Sequence, residues 1–260
     1  EMSHEAIDRY AERNGELTAD FVRKNFNKLL QRMMEIETRI YREYEEKPVN
    51  NAHCIFVEEH YGQDTEYPET NQLLSDIERI YDKEDDFEDF FQKMFPKLYP
   101  LANYISQSAS QSRRNRAGKS LESHIENLLE KMDYDFDRQE EVEGAVIDLV
   151  IPNMEAFNNN PDYTMFLACQ TTLKDRFRLS LSKLPAVNRV RAFIATATGK
   201  NLITSSDDED LTEKKVQEIE DKGYRIIVFD EVKERFPDNN TVISYSQFAQ
   251  EELPALEQGW

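Results

Sequence analysis

Cysteines, long apolar runs and positive charge are scarce in this sequence of 260 residues. The two cysteines, Cys54 and Cys169, have neither the spacing of metal ligands nor enough partners for a disulfide framework, which is typical of free thiols in a reducing cytoplasm. No run of about 18 apolar residues occurs, which excludes a transmembrane helix. The first residues are polar and charged, so no signal peptide is predicted.

Basic residues are outnumbered by acidic ones, 32 against 52, which gives a formal net charge of −20 at pH 7. Such an excess normally argues against a nucleic-acid partner. It still allows a local binding site if the acids lie on other faces, or if the source is adapted to high salt. With 39% hydrophobic residues, including 15 Phe and 12 Tyr, the chain can build a core, so we interpret it as globular.

The first third of the chain has helical patterning. Apolar side chains recur every three or four residues between positions 4 and 46, and similar patterns continue as far as Pro100. We therefore predict a helical subdomain at residues 1–108, whose aromatic stripe forms core or dimer interface. The Ser-, Gln- and Arg-rich segment 106–120 predicts a connector, and residues 109–260 form the second predicted domain.

That second domain alternates helices and strands. A helical pattern from Ser120 to Met132 is followed by four apolar strand candidates, VIDLVIP, 164–171, 191–199 and 224–230, with helical patterns between the later ones. This order predicts an α/β domain with a mixed central sheet flanked by helices.

Positive charge is concentrated in residues 165–191, MFLACQTTLKDRFRLSLSKLPAVNRVR. Six basic residues against one acid give this segment a local charge of about +5. The commonest ligand for such a concentration is a polyanion, which binds with release of counterions. Lys174, Asp175 and Arg176 supply the groups that read a G·C pair, because Lys or Arg donates to guanine and a carboxylate accepts from cytosine. An ordinary solvated helix face explains the charge of this segment about equally well.

Two carboxylates lie where a metal site is possible. Asp148 interrupts the apolar strand pattern VIDLVIP, and a buried aspartate is costly unless it is paired or binds a metal. We therefore favour a functional role for Asp148 over that of a core acid satisfied by hydrogen bonds. Glu122 alone is an ordinary helix surface residue, but with Asp148 it makes an oxygen site of the kind that Mg²⁺ takes. Gln170 and Lys183 are expected near the same edge of the sheet.

Three strings of residues resemble the catalytic domain of EcoRII- and PspGI-type restriction endonucleases, which have the PD-(D/E)xK nuclease fold. They are RAGKSLESHIENLL (116–129), the strand with Asp148, and TTLKDRFR (171–178). The later segment 213–237 is similar to the closing helix and strand of that family. The resemblance covers more than half of the chain and implies that residues 109–260 are a catalytic domain of this fold.

The resemblance implies roles for the residues that match. Asp148 corresponds to the strand aspartate that binds the catalytic metal, and Glu122 to the helix glutamate that supports the metal through water. Lys174, Asp175 and Arg176 correspond to the triplet that reads the G·C pairs of a half-site. Backbone contacts that position the DNA are implied for Arg113, Arg114, Arg116, Lys119 and Arg178.

Two positions depart from the family pattern. Gln170 stands where the family has its catalytic lysine, and Lys183 stands where a helix supplies a metal-ligand glutamate. If Lys183 reaches the same cavity, its ammonium can orient a water or stabilise the charge that develops on the phosphorane. Gln170 can hold the nucleophilic water by hydrogen bonds, but it cannot act as a base at neutral pH. The alternative is that Gln170 marks a silenced site.

These features together predict a type II restriction endonuclease that cleaves double-stranded DNA with Mg²⁺ and leaves 5′-phosphate ends. The resemblance implies CC/GG half-sites in a CCWGG- or CCNGG-like target, a homodimer, a flipped central base pair, a cytoplasmic location and a cognate methyltransferase. The main alternative is a DNA-binding protein that uses the same scaffold without cutting. A third interpretation is an acidic α/β interaction module with no role on DNA.

Overall fold

The computed structural model describes residues 2–15, 17–60, 68–84, 86–171, 173, 189–197 and 211–257. Within the helices, the side chains at 2–4, 13–14, 42–60, 68–71, 74, 101, 104 and 108–118 lie outside that description. The recognition triplet Lys174, Asp175 and Arg176 falls outside the described residues, as do Arg178 and Lys183. What the sequence predicts for these five residues therefore stays a prediction.

Long helices dominate the N-terminal half: α1 (Met2–Asn14), α2 (Ala19–His60), α3 (Pro68–Lys83) and α4 (Phe87–Lys131). The helical character of this part is as the patterning predicts. The predicted connector at 106–120 is wrong, however, because α4 continues through it as well as through Pro96 and Pro100. Gln and Arg are good helix formers and a single glycine interrupts the segment, so its local propensity supports a helix.

Packing divides the chain into two units. One comprises Glu1–Thr38 together with Arg116–Trp260, and the other comprises Arg39–Asn115. In the second unit, Lys97 of α4 pairs with Asp76 of α3 at 2.9 Å between Nζ and Oδ2. The predicted division into a helical subdomain, 1–108, and a catalytic domain, 109–260, stays a prediction.

The strands of the first unit form one mixed sheet within the described residues. Along the sheet they are β1 (Asp137–Val142), β2 (Ala145–Ile151), β3 (Met165–Gln170), β4 (Arg191–Thr196), β5 (Arg225–Val228) and β6 (Val242–Ser244). The β1–β2 and β2–β3 pairs are antiparallel, and the strands from β3 to β6 are parallel. The α/β class with a mixed central sheet and flanking helices is confirmed.

Shorter helices complete the first unit: α5 (Met154–Asn159), α6 (Glu213–Glu220), α7 (Asp230–Lys233), α8 (Tyr245–Gln247) and α9 (Pro254–Glu257). Strands β1 and β6 have no counterpart in the sequence predictions. The residues of β1 are mostly polar and only Val142 is buried, as suits an edge strand, while β6 has just three residues. No helix in the part of the chain that the structure describes combines the length and apolar character needed to cross a bilayer.

The core of the first unit joins the N-terminal helices to the sheet. Phe26 of α2 stacks on Tyr245 with 6.0 Å between ring centroids and meets Phe248 edge-on. On α4, the apolar face that the sequence predicts is fully buried and consists of Leu121, Ile125, Leu128 and Leu129. Burial of this face fixes the rotation of α4 about its axis, so its neighbour Glu122 is held on the flank of the buried stripe.

Candidate active site

Asp148 lies in the middle of β2, where the side chain of Ile147 before it and that of Leu149 after it are fully buried. The carboxylate itself is half-buried and accepts a hydrogen bond from the backbone N–H of Cys169, at 2.7 Å to Oδ2. The registered pairs of β2 and β3 end at Leu149 with Leu167. Asp148 thus satisfies a strand N–H just beyond the end of the ladder, which fixes the direction of its carboxylate.

Glu122 and Asp148 are brought together by one amide. The Nε2 atom of Gln139, on β1, donates to Glu122 Oε1 at 2.8 Å and to Asp148 Oδ1 at 3.1 Å. Because both acceptors bond to the same nitrogen, the two carboxylates face a common point. The predicted association of Glu122 and Asp148 is therefore present in the structure, together with a residue that the sequence predictions did not include.

Gln139 has a left-handed backbone, with φ +51°. It lies opposite Asp148, between the pairs Arg138 with Leu149 and Glu140 with Ile147. A residue with a Cβ pays for this conformation, and such residues are concentrated at functional sites. The unusual backbone coincides with the only described side chain that bonds both Glu122 and Asp148.

Negative charge accumulates around this point. Burial raises the pKa of Glu122, and the nearby charges of Asp148 and Glu126 raise it further, while the hydrogen bond from Gln139 acts in the opposite direction. Burial also raises the pKa of Glu126, although Arg138 contacts it at 3.1 Å and opposes the shift. A surrounding that disfavours ionised carboxylates favours the binding of a cation between them.

The thiol of Cys169 responds to the same surroundings. Its pKa is raised well above the ordinary value, first by burial and then by the charges of Asp148, Glu122 and Glu126. A raised pKa disfavours the thiolate, which is the nucleophilic form of cysteine.

Gln170, the last residue of β3, has a buried Oε1 atom that finds no hydrogen-bond partner among the described residues. Extension of the β2–β3 register by one pair places Asp148 opposite Ala168. Gln170 is two residues further along β3, so it lies on the same face of the sheet as Asp148, at a diagonal position. An amide oxygen without a partner is thus added to the side of the sheet that carries the carboxylates.

The residues present fit a hard divalent cation. Two carboxylates that converge on one point are oxygen donors, which Mg²⁺ prefers over nitrogen and sulfur. The described residues contain no cluster of three or more His, Cys, Asp or Glu side chains able to hold a metal ion. In phosphoryl-transfer sites, Mg²⁺ is usually held by one or two carboxylates, and water and phosphate oxygens complete its coordination. Glu122 and Asp148 are carboxylates of that number.

Comparison with known proteins identifies the family. The model of the family described as EcoRII C terminal matches residues 79–249, about two thirds of the chain. The chain belongs to the EcoRII C-terminal family. The resemblance predicted from residues 116–129, Asp148 and residues 171–178 is confirmed.

Individual proteins that are similar to this EcoRII C-terminal family member include restriction enzymes. The type II restriction enzyme SsoII of Shigella sonnei is 26% identical over 160 residues, which are 58% of this chain and 49% of the relative. The match thus spans about half the length of that curated relative. Among solved structures, metal-depleted Ecl18kI in complex with uncleaved, modified DNA matches with a TM-score of 0.76 and 19% identity, over 100% of this chain and 78% of the other.

A complex of the restriction endonuclease PspGI with substrate DNA matches with a TM-score of 0.63 and 15% identity, over 100% of this chain and 92% of the other. At these identities, the two structural matches establish the fold. The restriction-endonuclease-like fold predicted for the EcoRII C-terminal sequence is confirmed.

Among the residues predicted for DNA contact, Lys119 lies exposed on α4, close enough for its charge to oppose the raised pKa of Glu122. Arg113, Arg114 and Arg116 belong to the same helix, but their side chains are outside the description. α4 therefore carries Lys119 and Glu122 within one turn of each other, which links the predicted backbone contacts to the carboxylate pair.

A local sequence signal for Gln139 does exist. Glu143 and Gly144 both have positive φ, +51° and +77°, and form a two-residue turn in which Val142 pairs with Ala145. Three steps back along β1 and three steps forward along β2 from that pair, Gln139 faces Asp148. An acid-Gly pair between two strands predicts this register, and it would have placed Gln139 at the site of this EcoRII C-terminal protein.

Proposed function

We propose that this chain is a type II restriction endonuclease that hydrolyses phosphodiesters in double-stranded DNA at a specific site, with Mg²⁺ as cofactor. The observation that carries the proposal is the convergence of Glu122 and Asp148 on the Nε2 atom of Gln139. Membership of the EcoRII C-terminal family supports it, as does the restriction enzyme SsoII of Shigella sonnei among the relatives.

In the proposed site, Asp148 and Glu122 are the residues that would hold Mg²⁺, Asp148 as the strand carboxylate and Glu122 as its support through water. The bond from the Cys169 N–H leaves Asp148 Oδ1 as the oxygen that faces Glu122. When bound, a divalent cation neutralises the charge that develops on the phosphate during hydrolysis.

The water that attacks phosphorus is oriented by Gln170. Its buried Oε1 atom, which has no partner among the described residues, accepts a hydrogen bond from that water but cannot take a proton at neutral pH. Attack forms a bond from the water oxygen to phosphorus and breaks the bond to the 3′ oxygen. The water loses one proton to solvent and the 3′ oxygen takes one up from solvent, which leaves a 5′-phosphate and a 3′-hydroxyl. The ammonium of Lys183 stabilises the negative charge of the phosphorane.

Sequence recognition is assigned to Lys174, Asp175 and Arg176, whose side-chain types match the edge of a G·C pair in the major groove. The corresponding target has CC/GG half-sites, in a CCWGG- or CCNGG-like sequence. Arg113, Arg114, Arg116, Lys119 and Arg178 bind the phosphate backbone and set the position of the protein on the duplex.

A two-fold symmetric target calls for a symmetric protein, so the functional form is a homodimer with one subunit on each half-site. Residues 1–108 contribute dimer contacts and part of the DNA clamp. The central base pair is flipped out of the duplex. The protein acts in the cytoplasm, where a cognate methyltransferase protects the host sites.

A second candidate function is a DNA-binding protein that uses the nuclease scaffold without cutting. Gln170 in place of the family's catalytic lysine favours it, because the strand then lacks a cationic group beside the phosphate. The carboxylate pair of Glu122 and Asp148 favours the enzyme, because a protein that only binds DNA gains nothing from negative charge near phosphates.

A digest decides between them. Unmethylated phage DNA is incubated with the purified protein in Mg²⁺ or in EDTA, from low to molar salt, with Asp148→Asn as the matched control. Discrete fragments that require both Mg²⁺ and Asp148 are expected, and mapping their ends gives the target and the position of the phosphate. Intact DNA at every salt concentration, with tight and specific binding, would establish the non-cutting protein instead.

A further inference from the structure

Gln139 occupies the point at which a cation between Glu122 and Asp148 would bind. Its Nε2 atom donates hydrogen bonds to Glu122 Oε1 at 2.8 Å and to Asp148 Oδ1 at 3.1 Å, the two oxygens that face each other across the pair. A Mg²⁺ ion needs oxygen ligands at about 2.0–2.1 Å and lone pairs directed at the ion. The amide of Gln139 therefore competes with a cation for the lone pair of Asp148 Oδ1, and with the water that would link the cation to Glu122 for the lone pair of Glu122 Oε1.

The position of Gln139 also favours displacement of its amide from the two carboxylates. Gln139 is exposed and lies on β1, the edge strand of the sheet, so solvent is next to its side chain. In that orientation water satisfies the N–H groups that the carboxylates release. Displacement of the amide thus leaves no buried donor without a partner.

The backbone of Gln139 is adapted to this position. Its φ of +51° departs from the extended conformation of its neighbours, opposite Asp148 in the β1–β2 pair. A glycine would adopt this conformation at lower cost, yet the residue is a glutamine whose side chain reaches both carboxylates. The strained backbone is explained if the side chain has a task at the carboxylate pair.

We propose that Gln139 is a positioning residue that occupies the cation site of the metal-free protein. In the absence of metal, its N–H groups hold Glu122 and Asp148 together and offset the repulsion between them. A cation enters by displacing this amide, so the side chain keeps the pair assembled but lowers the affinity for metal. This inference rests on the proposed function, because it assumes that the pair binds the cation.

The inference is tested by metal binding without DNA. Mn²⁺ alone is titrated into the metal-free chain of 260 residues, and free Mn²⁺ is followed by electron paramagnetic resonance. The protein has a net charge of −20 and binds cations at other places, so the site is defined as the binding that Asp148→Asn removes. Gln139→Ala keeps a Cβ on the same backbone, and the dissociation constant of the site is expected to fall at least threefold.

Three further variants sharpen the test. Gln139→Lys places a permanent ammonium at the same point, so it is expected to abolish Mn²⁺ binding at the site and to raise Tm in EDTA. Gln139→Asn tolerates positive φ but is too short to bond both carboxylates, so it replaces Gln139→Ala if that variant does not fold. Gln217→Ala is the control, because Gln217 also donates to a carboxylate, Asp221 at 2.9 Å, but on the exposed face of α6. It should leave the site unchanged.

The outcomes separate the inference from the proposed function. An equal or larger dissociation constant in Gln139→Ala, with the site present in the unsubstituted protein, means that Gln139 does not compete with the cation, and the inference fails alone. If Asp148→Asn removes no Mn²⁺ binding, the carboxylate pair is not the metal site. Both the inference and the proposed metal assignment then fail.

Discussion

At the scale of one residue, the surroundings of Glu122 carry a cost in folding stability. Its side chain is half-buried, and its pKa is raised by burial, then by Asp148 and Glu126, against the opposing bond from Gln139. A carboxyl whose folded-state pKa is raised opposes folding when it is ionised. That cost is absent at a pH below the ordinary value of 4.5, where the group is protonated in both states, and it is complete above the raised pKa.

Glu122→Gln removes this cost, so it should stabilise the metal-free protein at pH 8 and have no effect near pH 4. The position is partly exposed and solvent screens its charge, so the expected rise in Tm at pH 8 is only about 1–2 °C. Thermal unfolding in EDTA at both pH values measures it. Glu143→Gln, exposed in the β1–β2 turn, is the matched control and should show no such dependence on pH. A lower Tm of Glu122→Gln at pH 8 would contradict the assignment.

Gln170 stands where the family has its catalytic lysine, so a second prediction is that Lys183 supplies the positive charge. If the ammonium of Lys183 stabilises the phosphorane, Lys183→Ala should lower kcat by about 10²–10³-fold while the affinity for target DNA changes little. Single-turnover cleavage and a binding assay in Ca²⁺ measure the two effects. Lys222→Ala, which removes an exposed lysine after α6, should change neither. Cleavage by Lys183→Ala at the normal rate would mean that a group other than the Lys183 ammonium stabilises the phosphorane.

At the scale of elements, α4 differs most from what its sequence suggests. Segment 106–120 has the composition of a linker, yet it lies inside a helix that runs from Phe87 to Lys131. One helix therefore carries the basic residues from Arg113 to Lys119 and, one turn later, Glu122. A rise of about 1.5 Å per residue along that helix sets the distance between the predicted backbone contacts and Glu122, which a flexible connector would leave variable.

Gln107→Pro tests the continuity of α4, because Gln107 lies within the helix and its side chain is exposed. In a helix, proline removes a backbone donor and clashes with the preceding turn, so a loss of about 3 kcal/mol is expected. In a linker the same substitution would be nearly neutral. Far-UV circular dichroism during urea unfolding measures the loss, and Gln107→Ala should be neutral or slightly stabilising. Equal stability of the two variants would restore the linker interpretation.

At the scale of the whole molecule, an excess of acid coexists with a proposed DNA site. With a net charge of −20, long-range forces oppose the approach of DNA, and the local basic residues must outweigh them at short range. Added salt screens the long-range repulsion and the local attraction alike. The affinity that comes from phosphate contacts still falls as salt rises, because counterions released into a more concentrated salt solution gain less entropy.

Lys119 allows this balance to be measured, because its side chain is exposed at the start of the buried part of α4. If Lys119 contacts a phosphate, Lys119→Ala should weaken DNA binding similarly for all sequences. It should also reduce the slope of log K against log salt by about 1. Fluorescence anisotropy with target and non-target duplexes across salt concentrations gives that slope. A slope identical to that of the unsubstituted protein would place Lys119 away from the DNA backbone.

Residue patterns alone determined the mixed α/β class, the central strands and the candidate carboxylates Asp148 and Glu122. These follow from local chemistry, since apolar runs bounded by turns form buried strands, and an acid within such a run needs a partner. The family resemblance came from short strings that the family model later matched over residues 79–249.

Tertiary structure decided what depends on contacts between distant segments. Only packing revealed that Gln139 bonds both carboxylates, because its partners are 17 and 9 residues away along the chain. The helical state of 106–120 was also missed, because a linker-like composition was given more weight than the helix propensity of its Gln and Arg residues. Composition does not show which distant residues meet. The turn at Glu143 and Gly144 pairs β1 with β2, and the buried face of α4 sets the position of Glu122 beside them.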